Sequence, residues 1–195
     1  MLKRIFNKLT RLLVERQKKK IFGHYGQNVT LMKPYMLTQP DRIFIEDKVF
    51  IRDYSRIEAI TTDGINNFNP TIIIRRGTHI EQHFHLGCCD QVEICENVLI
   101  ASRVYISDHN HEFADINRPI LSQGVKPGGK VVIKENAWLG EGCAILPGVT
   151  IGRNSIIGTN SVVTHNIPDY SIAVGIPAKV IKTYNHHNGT WEPCK

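Results

Sequence analysis

The stretch IKENAW LGEGCA ILPGVT IGRNSI IGTNSV VTHNIP, residues 133–168, consists of six consecutive hexads, each opened by Ile, Leu or Val. A period of six fits neither the 3.6-residue period of an α-helix nor the alternation of a simple strand. Repetition at a fixed period indicates a solenoid, in which every repeat packs on its neighbours. The fifth position of each hexad is also small or apolar, so two side chains per hexad can face one interior: Ala137, Cys143, Val149, Ser155, Ser161 and Ile167.

The fourth position of the hexads explains how so short a strand can end in a corner. It is Gly or Asn in Gly77, Asn97, Asn136, Gly142, Gly148, Asn154, Asn160 and Asn166, and these residues enter the left-handed backbone region at the lowest cost. Such residues in mid-segment argue against helices. The same template extends upstream through Ile45, Ile51, Ile57, Ile74, Ile80, Leu86, Ile94, Ile100 and Ile106. The sequence therefore predicts an all-β solenoid, a parallel β-helix with three corners to each coil.

Composition limits the alternatives. The 195 residues are 42% hydrophobic and 22% charged, which is typical of one soluble globular domain. Without an apolar run long enough to span a membrane or a signal-peptide cleavage site, we expect a cytoplasmic protein, which could act at the inner face of the membrane. The five cysteines are odd in number and none forms a zinc-type spaced pair, so we expect a reducing compartment.

The net charge of +6 is concentrated at the N-terminus, since the first 20 residues hold eight of the 24 basic residues and one of the 18 acidic residues. Apolar residues at helical spacing in this segment predict a basic amphipathic helix over residues 1–22. It could contact an anionic membrane surface or pack on the protein, and the sequence does not decide between the two. Nucleic acid is not an expected partner. The solenoid domain is predicted over residues 23–183 and a tail over residues 184–195.

Three motifs carry a resemblance to a known family: VYISDHNHEF from Val104, WLGEGCAILPGVTIG from Trp138, and SVVTHNIPDYSIAVGIPAKVIK from Ser161. The chain resembles the hexapeptide-repeat acyltransferases, and among them the sugar O-acetyltransferases of the maltose, nodulation and surface-polysaccharide types. The resemblance implies a left-handed β-helix, acetyl-CoA as co-substrate, no metal, and a homotrimer with its active sites between subunits.

The repeat is interrupted between Ile106 and Ile133, which predicts an excursion loop at about residues 108–130. By the resemblance, the general base is the histidine five residues after Ile106, which is His111. A neutral imidazole can remove the proton from a sugar hydroxyl as that hydroxyl attacks a thioester. Asp108 and His109 are expected to orient the base or contact the acceptor; His109, at a corner, is the alternative to His111 as the base, and both histidines could instead be structural.

Other residues are expected near the acceptor. If Leu86 and Ile106 lie on one face a coil apart, Asp90 comes beneath His111 and could orient it. His83 and His85 occupy the stretch where maltose-type relatives carry asparagines, so they contact the acceptor or are simply surface residues.

The resemblance also implies a binding surface for coenzyme A. A backbone N–H near Trp138 and Gly140 would stabilise the oxyanion, and Gly140 would either admit the thioester or form a tight corner. The pantetheine would run past Gly158. Polar and basic residues would contact the rest of the cofactor: Thr164, His165, Lys179 and Lys182.

Together these features predict O-acetylation of a saccharide hydroxyl, in surface polysaccharide or lipopolysaccharide assembly. The alternatives are N-acetylation of an amino sugar nucleotide or of a xenobiotic. A zinc hydratase of the γ-carbonic-anhydrase type shares the fold, but the last two motifs resemble the acetyltransferases. Its candidate ligands would be His79, His83, His85, His109 and His111.

Overall fold

The computed structural model describes residues 17–194. Residues 17–21 are helical, whereas most of the predicted basic helix, and with it the predicted membrane contact, lies outside the described residues. Within residues 17–194, no helix has both the length and the apolar character needed to cross a membrane.

The described residues form a parallel β-helix whose three faces are sheets A, B and C, which confirms the predicted left-handed solenoid. Sheet A contains β1 (His24–Tyr25), β4 (Ile43–Ile45), β7 (Thr71–Ile74), β10 (Gln91–Ile94), β15 (Val131–Ile133) and β18 (Thr150–Ile151). Sheet B contains β2 (Thr30–Leu31), β5 (Phe50–Ile51), β8 (His79–Ile80), β11 (Leu99–Ile100), β16 (Trp138–Leu139), β19 (Ile156–Ile157), β21 (Ser171–Gly175), β22 (Ala178–Asn185) and β23 (Thr190–Pro193). Sheet C contains β3 (Tyr35–Thr38), β6 (Ser55–Ala59), β9 (His85–Cys88), β12 (Tyr105–Ser107), β17 (Ala144–Ile145) and β20 (Val162–Val163).

The core is the stack of aliphatic side chains that open the hexads. In sheet C, Leu86 pairs with Ile106 and Ile106 pairs with Ile145, so the same position recurs at each coil and its side chains meet along the axis. All three are fully buried, and the six fifth-position residues are at most 5% exposed. Burial of a large aliphatic side chain contributes about 1.5–3 kcal/mol, so this repeated column is the main source of stability.

The corners have the predicted conformation with one exception. Seven of the eight Gly and Asn residues at the fourth position have positive φ, between 52° and 78°. Asn166 does not belong to this set; its side-chain oxygen instead accepts a hydrogen bond of 2.7 Å from the Thr150 N–H of the coil below. Tyr54 and His83, at other corners, also have φ of 59°.

Three segments depart from the regular coil. The predicted excursion contains an antiparallel hairpin of β13 (His109–His111) and β14 (Val125–Pro127), with a 3₁₀ turn at Ile120–Ser122 between them. Another 3₁₀ turn, at Pro40–Arg42, lies between β3 and β4. Residues 60–70 form a second loop between β6 and β7. The predicted domain boundary after residue 183 falls inside β22, which pairs with β23, so residues 184–193 continue sheet B.

Candidate active site

A cavity of about 340 Å³ lies where sheet C meets the β13–β14 hairpin. We call it the histidine cavity. It is walled by three strands of the sheet, β6, β9 and β12, by the hairpin and by Ile60 of the second loop. The residues lining it are Arg56, Glu58, Ile60, His85, Gly87, Tyr105, His109, Asn110, His111 and Val125.

Asp108 is a fully buried carboxylate at the edge of this cavity. Its oxygens accept hydrogen bonds from the backbone N–H groups of Cys89, at 2.9 Å, and Asp90, at 2.8 Å, and from the thiol of Cys88 at 3.2 Å. Burial opposes ionisation, but the hydrogen bonds from His109 and from these groups outweigh it and hold the pKa of Asp108 below its usual value. Asp108 is therefore a fixed negative charge inside the protein.

That charge orients His109. Its Nδ1 lies 2.9 Å from Oδ1 of Asp108, and its side chain is 14% exposed. An ionised carboxylate only accepts hydrogen bonds, so Nδ1 carries a proton, and whenever the imidazole is neutral its Nε2 has a free electron pair. The Ser107 hydroxyl donates to the His109 carbonyl at 2.8 Å and accepts from the His109 N–H at 3.2 Å, which fixes the backbone of the same residue.

The floor of the cavity carries a charged cluster next to His109. Arg56 contacts both carboxylate oxygens of Glu58, with Nη2 at 2.9 Å from Oε1, and Nε2 of His85 lies 3.2 Å from Oε2. Burial acts to raise the pKa of Glu58, but the hydrogen bonds from Arg56 and His85 lower it below the usual value. Glu58 thus stays ionised and paired near neutral pH.

The hairpin is held by a residue that the sequence analysis did not identify. Oδ2 of Asp63, in the loop of residues 60–70, accepts a hydrogen bond of 2.6 Å from the Val125 N–H, while Oδ1 accepts from Ile65 and Asn66. These backbone hydrogen bonds strongly lower the pKa of Asp63. The irregular spacing between Ile57 and Ile74 was the sequence signal for this loop.

The predicted acceptor and base residues are only partly brought together. His111 lines the histidine cavity, but it is an exposed residue that pairs with Val125 across the hairpin. Leu86 and Ile106 pair as predicted, yet the carboxylate that contacts His109 is that of Asp108, and Asp90 contributes its backbone N–H to this carboxylate. His85 is in the cavity floor.

The other residue predicted to contact the acceptor, His83, lies outside the histidine cavity. It is exposed at a corner with positive φ and stacks on Tyr54, with ring centroids 5.1 Å apart.

The backbone N–H groups of Trp138 and Gly140, two of the predicted oxyanion donors, form hydrogen bonds within the β-helix. The N–H of Trp138 donates to Ser155 and that of Gly140 donates to Ile157, both in the next coil, so neither is free for a ligand. The absence of a side chain at Gly140 serves the packing of coils, because an added Cβ would lie 2.7 Å from the Ile157 carbonyl oxygen. A Cβ added at Gly158 would likewise lie 2.7 Å from Cγ1 of Val174.

The predicted cofactor residues lie on two different edges of the β-helix, where an edge is the corner region that follows the strands of one sheet. Thr164 and His165 follow β20 of sheet C, and their side chains contact each other at 2.8 Å. They lie on the same edge of the β-helix as His109, which follows β12 of the same sheet. Gly140 and Gly158 follow strands of sheet B. Lys179 and Lys182 are exposed on β22 in the same sheet.

One group of residues within the described part of the chain has the spacing of a metal site: Cys89, Asp108 and His109. Burial, together with the charge of Asp108, raises the pKa of the Cys89 thiol to about 12, so the thiolate that a metal requires is disfavoured. The Nδ1 proton of His109 is already donated to Asp108. This donor set therefore fits a hydrogen-bonded dyad better than a zinc site.

Comparison with known proteins gave consistent relatives. Residues 130–165 match the family described as "Bacterial transferase hexapeptide (six repeats)". The chain is 37% identical over 127 residues to the "Putative lipopolysaccharide biosynthesis O-acetyl transferase WbbJ" of Escherichia coli K12, a match that covers 62% of this chain and 65% of WbbJ. It is 37% identical over 137 residues to the galactoside O-acetyltransferase of the same strain, with 66% of each chain covered. The chain thus spans just under two thirds of the length of these two relatives.

Among solved structures, the chain is similar to AntD, an N-acyltransferase from Bacillus cereus, in a mutant form complexed with dTDP and coenzyme A. The TM-score is 0.74 at 25% identity, and the match covers 89% of this chain and 91% of that one.

Proposed function

Because the chain belongs to the bacterial hexapeptide-repeat transferases, we propose that it is an acetyl-CoA-dependent O-acetyltransferase that acts on a saccharide hydroxyl. The observation that carries the proposal is the pair formed by His109 and the buried Asp108 at the histidine cavity. The likeness to WbbJ and to the galactoside enzyme supports the saccharide, and the likeness to WbbJ supports a role in lipopolysaccharide assembly.

The chemistry follows from the protonation of the dyad. Nε2 of His109 accepts the proton of the acceptor hydroxyl as its oxygen forms a bond to the thioester carbonyl carbon. When the carbon–sulfur bond breaks, the imidazolium returns this proton to the leaving thiolate of coenzyme A. Asp108 stabilises the positive charge of the imidazolium in between, since it lies 2.9 Å away and is ionised. No acyl-enzyme is formed.

We assign the base to His109 rather than to His111, which the sequence resemblance suggested. A base must keep one nitrogen protonated and aimed at a partner so that the other stays available, and Asp108 provides this for His109. His111 is exposed on the hairpin, where it can contact the acceptor.

A complete site requires a second copy of the chain. The predicted cofactor residues on sheet B lie on a different edge from His109, so one chain cannot present both to the same thioester. A homotrimer that sets the sheet B edge of one subunit beside the His109 edge of the next would join them. Sheet B also carries exposed apolar residues, Leu99 and Trp138, that such an interface would cover.

An amine acceptor is the second candidate, because an N-acyltransferase is among the similar structures. The same imidazole can deprotonate an ammonium or a hydroxyl. A comparison of methyl glycosides with their amino-sugar counterparts as acceptors separates the two functions.

The test uses His109→Ala and His111→Ala as a matched pair. With acetyl-CoA and a panel of glycosides, we expect His109→Ala to lower kcat by roughly 10²- to 10⁴-fold with acetyl-CoA affinity unchanged. His111→Ala should alter KM for the acceptor and leave kcat within about tenfold of the wild type. The reverse ranking would mean that His111, and not His109, is the base. If the wild type acetylated no glycoside and no amino sugar, the proposal would be overturned.

A further inference from the structure

A second cavity continues the histidine cavity along sheet C. Its volume is about 390 Å³, and we call it the tyrosine cavity. Arg56 lines both cavities, so they adjoin at this residue. Each is close to the lower limit of about 300 Å³ for a small-molecule site, and together they form a groove. The tyrosine cavity is lined by Pro34, Tyr35, Met36, Tyr54, Ser55, Arg56 and His83.

The strand register gives the length of this groove. Met36 pairs with Arg56, Arg56 pairs with His85, and His85 pairs with Tyr105, so their side chains form one row on the outer face of sheet C. Neighbouring strands are about 4.8 Å apart, and three steps therefore span roughly 14 Å. A single pyranose ring beside His109 would leave the far end of this row empty.

The charges of the groove favour a neutral ligand. Among the described residues, the lining of the tyrosine cavity includes no carboxylate, and Arg56, its only permanently charged residue, is already paired with Glu58 through two nitrogens. A diphosphate between a sugar and a base would find no unpaired guanidinium or ammonium group in that lining. The groove therefore favours a second sugar over a nucleotide.

The surface of the tyrosine cavity suits a sugar ring. Tyr54 and His83 stack almost in parallel, with ring planes 19° apart, and Tyr54 is 56% exposed. Aromatic faces carry partial negative charge, and the C–H groups on the apolar face of a pyranose pack against them. The polar edges of these two rings, which form no hydrogen bond within residues 17–194, remain available to the sugar hydroxyls.

We propose that this groove binds an acceptor of at least two linked neutral sugars, with the residue to be acetylated at His109 and its neighbour on Tyr54 and His83. The proposal rests on the function proposed above, but it concerns binding, which can be measured apart from transfer. Tyr54 and His83 are in this view specificity-determining residues.

The test measures equilibrium binding of the methyl glycoside, disaccharide and trisaccharide of galactose, glucose and mannose, and of the corresponding sugar nucleotides, to the full chain. Because Tyr54 and His83 both have φ of 59°, each is changed to Asn, which tolerates this conformation. Lys48→Asn, at an exposed corner with φ of 60° outside the groove, is the matched control.

We expect one sugar series to bind more tightly as disaccharide than as monosaccharide, and Tyr54→Asn or His83→Asn to remove roughly three- to tenfold of that gain. Monosaccharide binding and the control should be unchanged. The proposed disaccharide site would be contradicted by equal affinity for one and two sugars in every series, or by equal losses of affinity for both lengths in the variants. Tighter binding of the sugar nucleotides would also contradict it. If binding depended on length but no acetyl group were transferred, the result would support the disaccharide site and contradict only the proposed reaction.

Discussion

A Cβ atom added at Gly87 would lie 3.0 Å from Cε1 of His109. The imidazole thus rests against the bare backbone of β9, the strand below it. Ordinary carbon–carbon contacts are longer, so any larger residue at this position would displace the ring. Together with Asp108, Gly87 defines the position of the imidazole that we propose as the base.

Gly87→Ala should lower kcat by roughly 10- to 100-fold, because a displacement of a reacting group by a fraction of an ångström weakens the alignment that catalysis needs. Steady-state kinetics would show the loss in kcat, and acetyl-CoA affinity should be unchanged. The control is the same substitution in His109→Ala, where it should have almost no further effect. Equal losses in both backgrounds would mean that Gly87 acts on the fold and not through His109.

Asp108→Asn should make stability less dependent on pH. Because the folded pKa of Asp108 is lowered, its charge stabilises the native state above about pH 4 and this contribution is lost as pH falls through the lowered pKa. Urea unfolding at pH 7 should show a loss of about 2 kcal/mol in the variant, from hydrogen bonds to a charged group. At about pH 3 the difference should shrink; a constant difference would contradict the ionised state.

The regular coils and several residues of the site were predictable from the sequence, whereas the contact between Asp108 and His109 was not. The hexads fix where Ile106 and Leu86 stand, because the period alone determines which side chains fill the axis. Counting along the chain could not show that Asp108 turns inward to accept hydrogen bonds from the N–H groups of Cys89 and Asp90, a turn that places its carboxylate against His109. That arrangement depends on contacts between coils, which local sequence does not contain.

Asp63→Ala should loosen the β13–β14 hairpin. The Asp63 carboxylate accepts from the Val125 N–H and caps its own loop, so its loss removes the link between the two segments. Hydrogen exchange of the Val125 amide should accelerate, and cleavage by protease within residues 112–124 should become faster. Asp41→Ala, which removes an exposed carboxylate paired with its neighbour Arg42, is the control. Unchanged exchange at Val125 would show that the hairpin is held without Asp63.

Lys179→Ala and Lys182→Ala should weaken coenzyme A binding, because both lysines are exposed on β22, where basic side chains can meet its phosphates. The loss should be roughly threefold or more at low salt and should fade at about 1 M salt, where the screening length is about 3 Å. Acetylpantetheine, which lacks those phosphates, isolates the cause: as an acyl donor it should be used equally well by the variants and the wild type. Lys48→Asn, at a corner outside sheet B, should match the wild type with both donors. A loss that persisted with acetylpantetheine would mean that the lysines support the strand and not the phosphates.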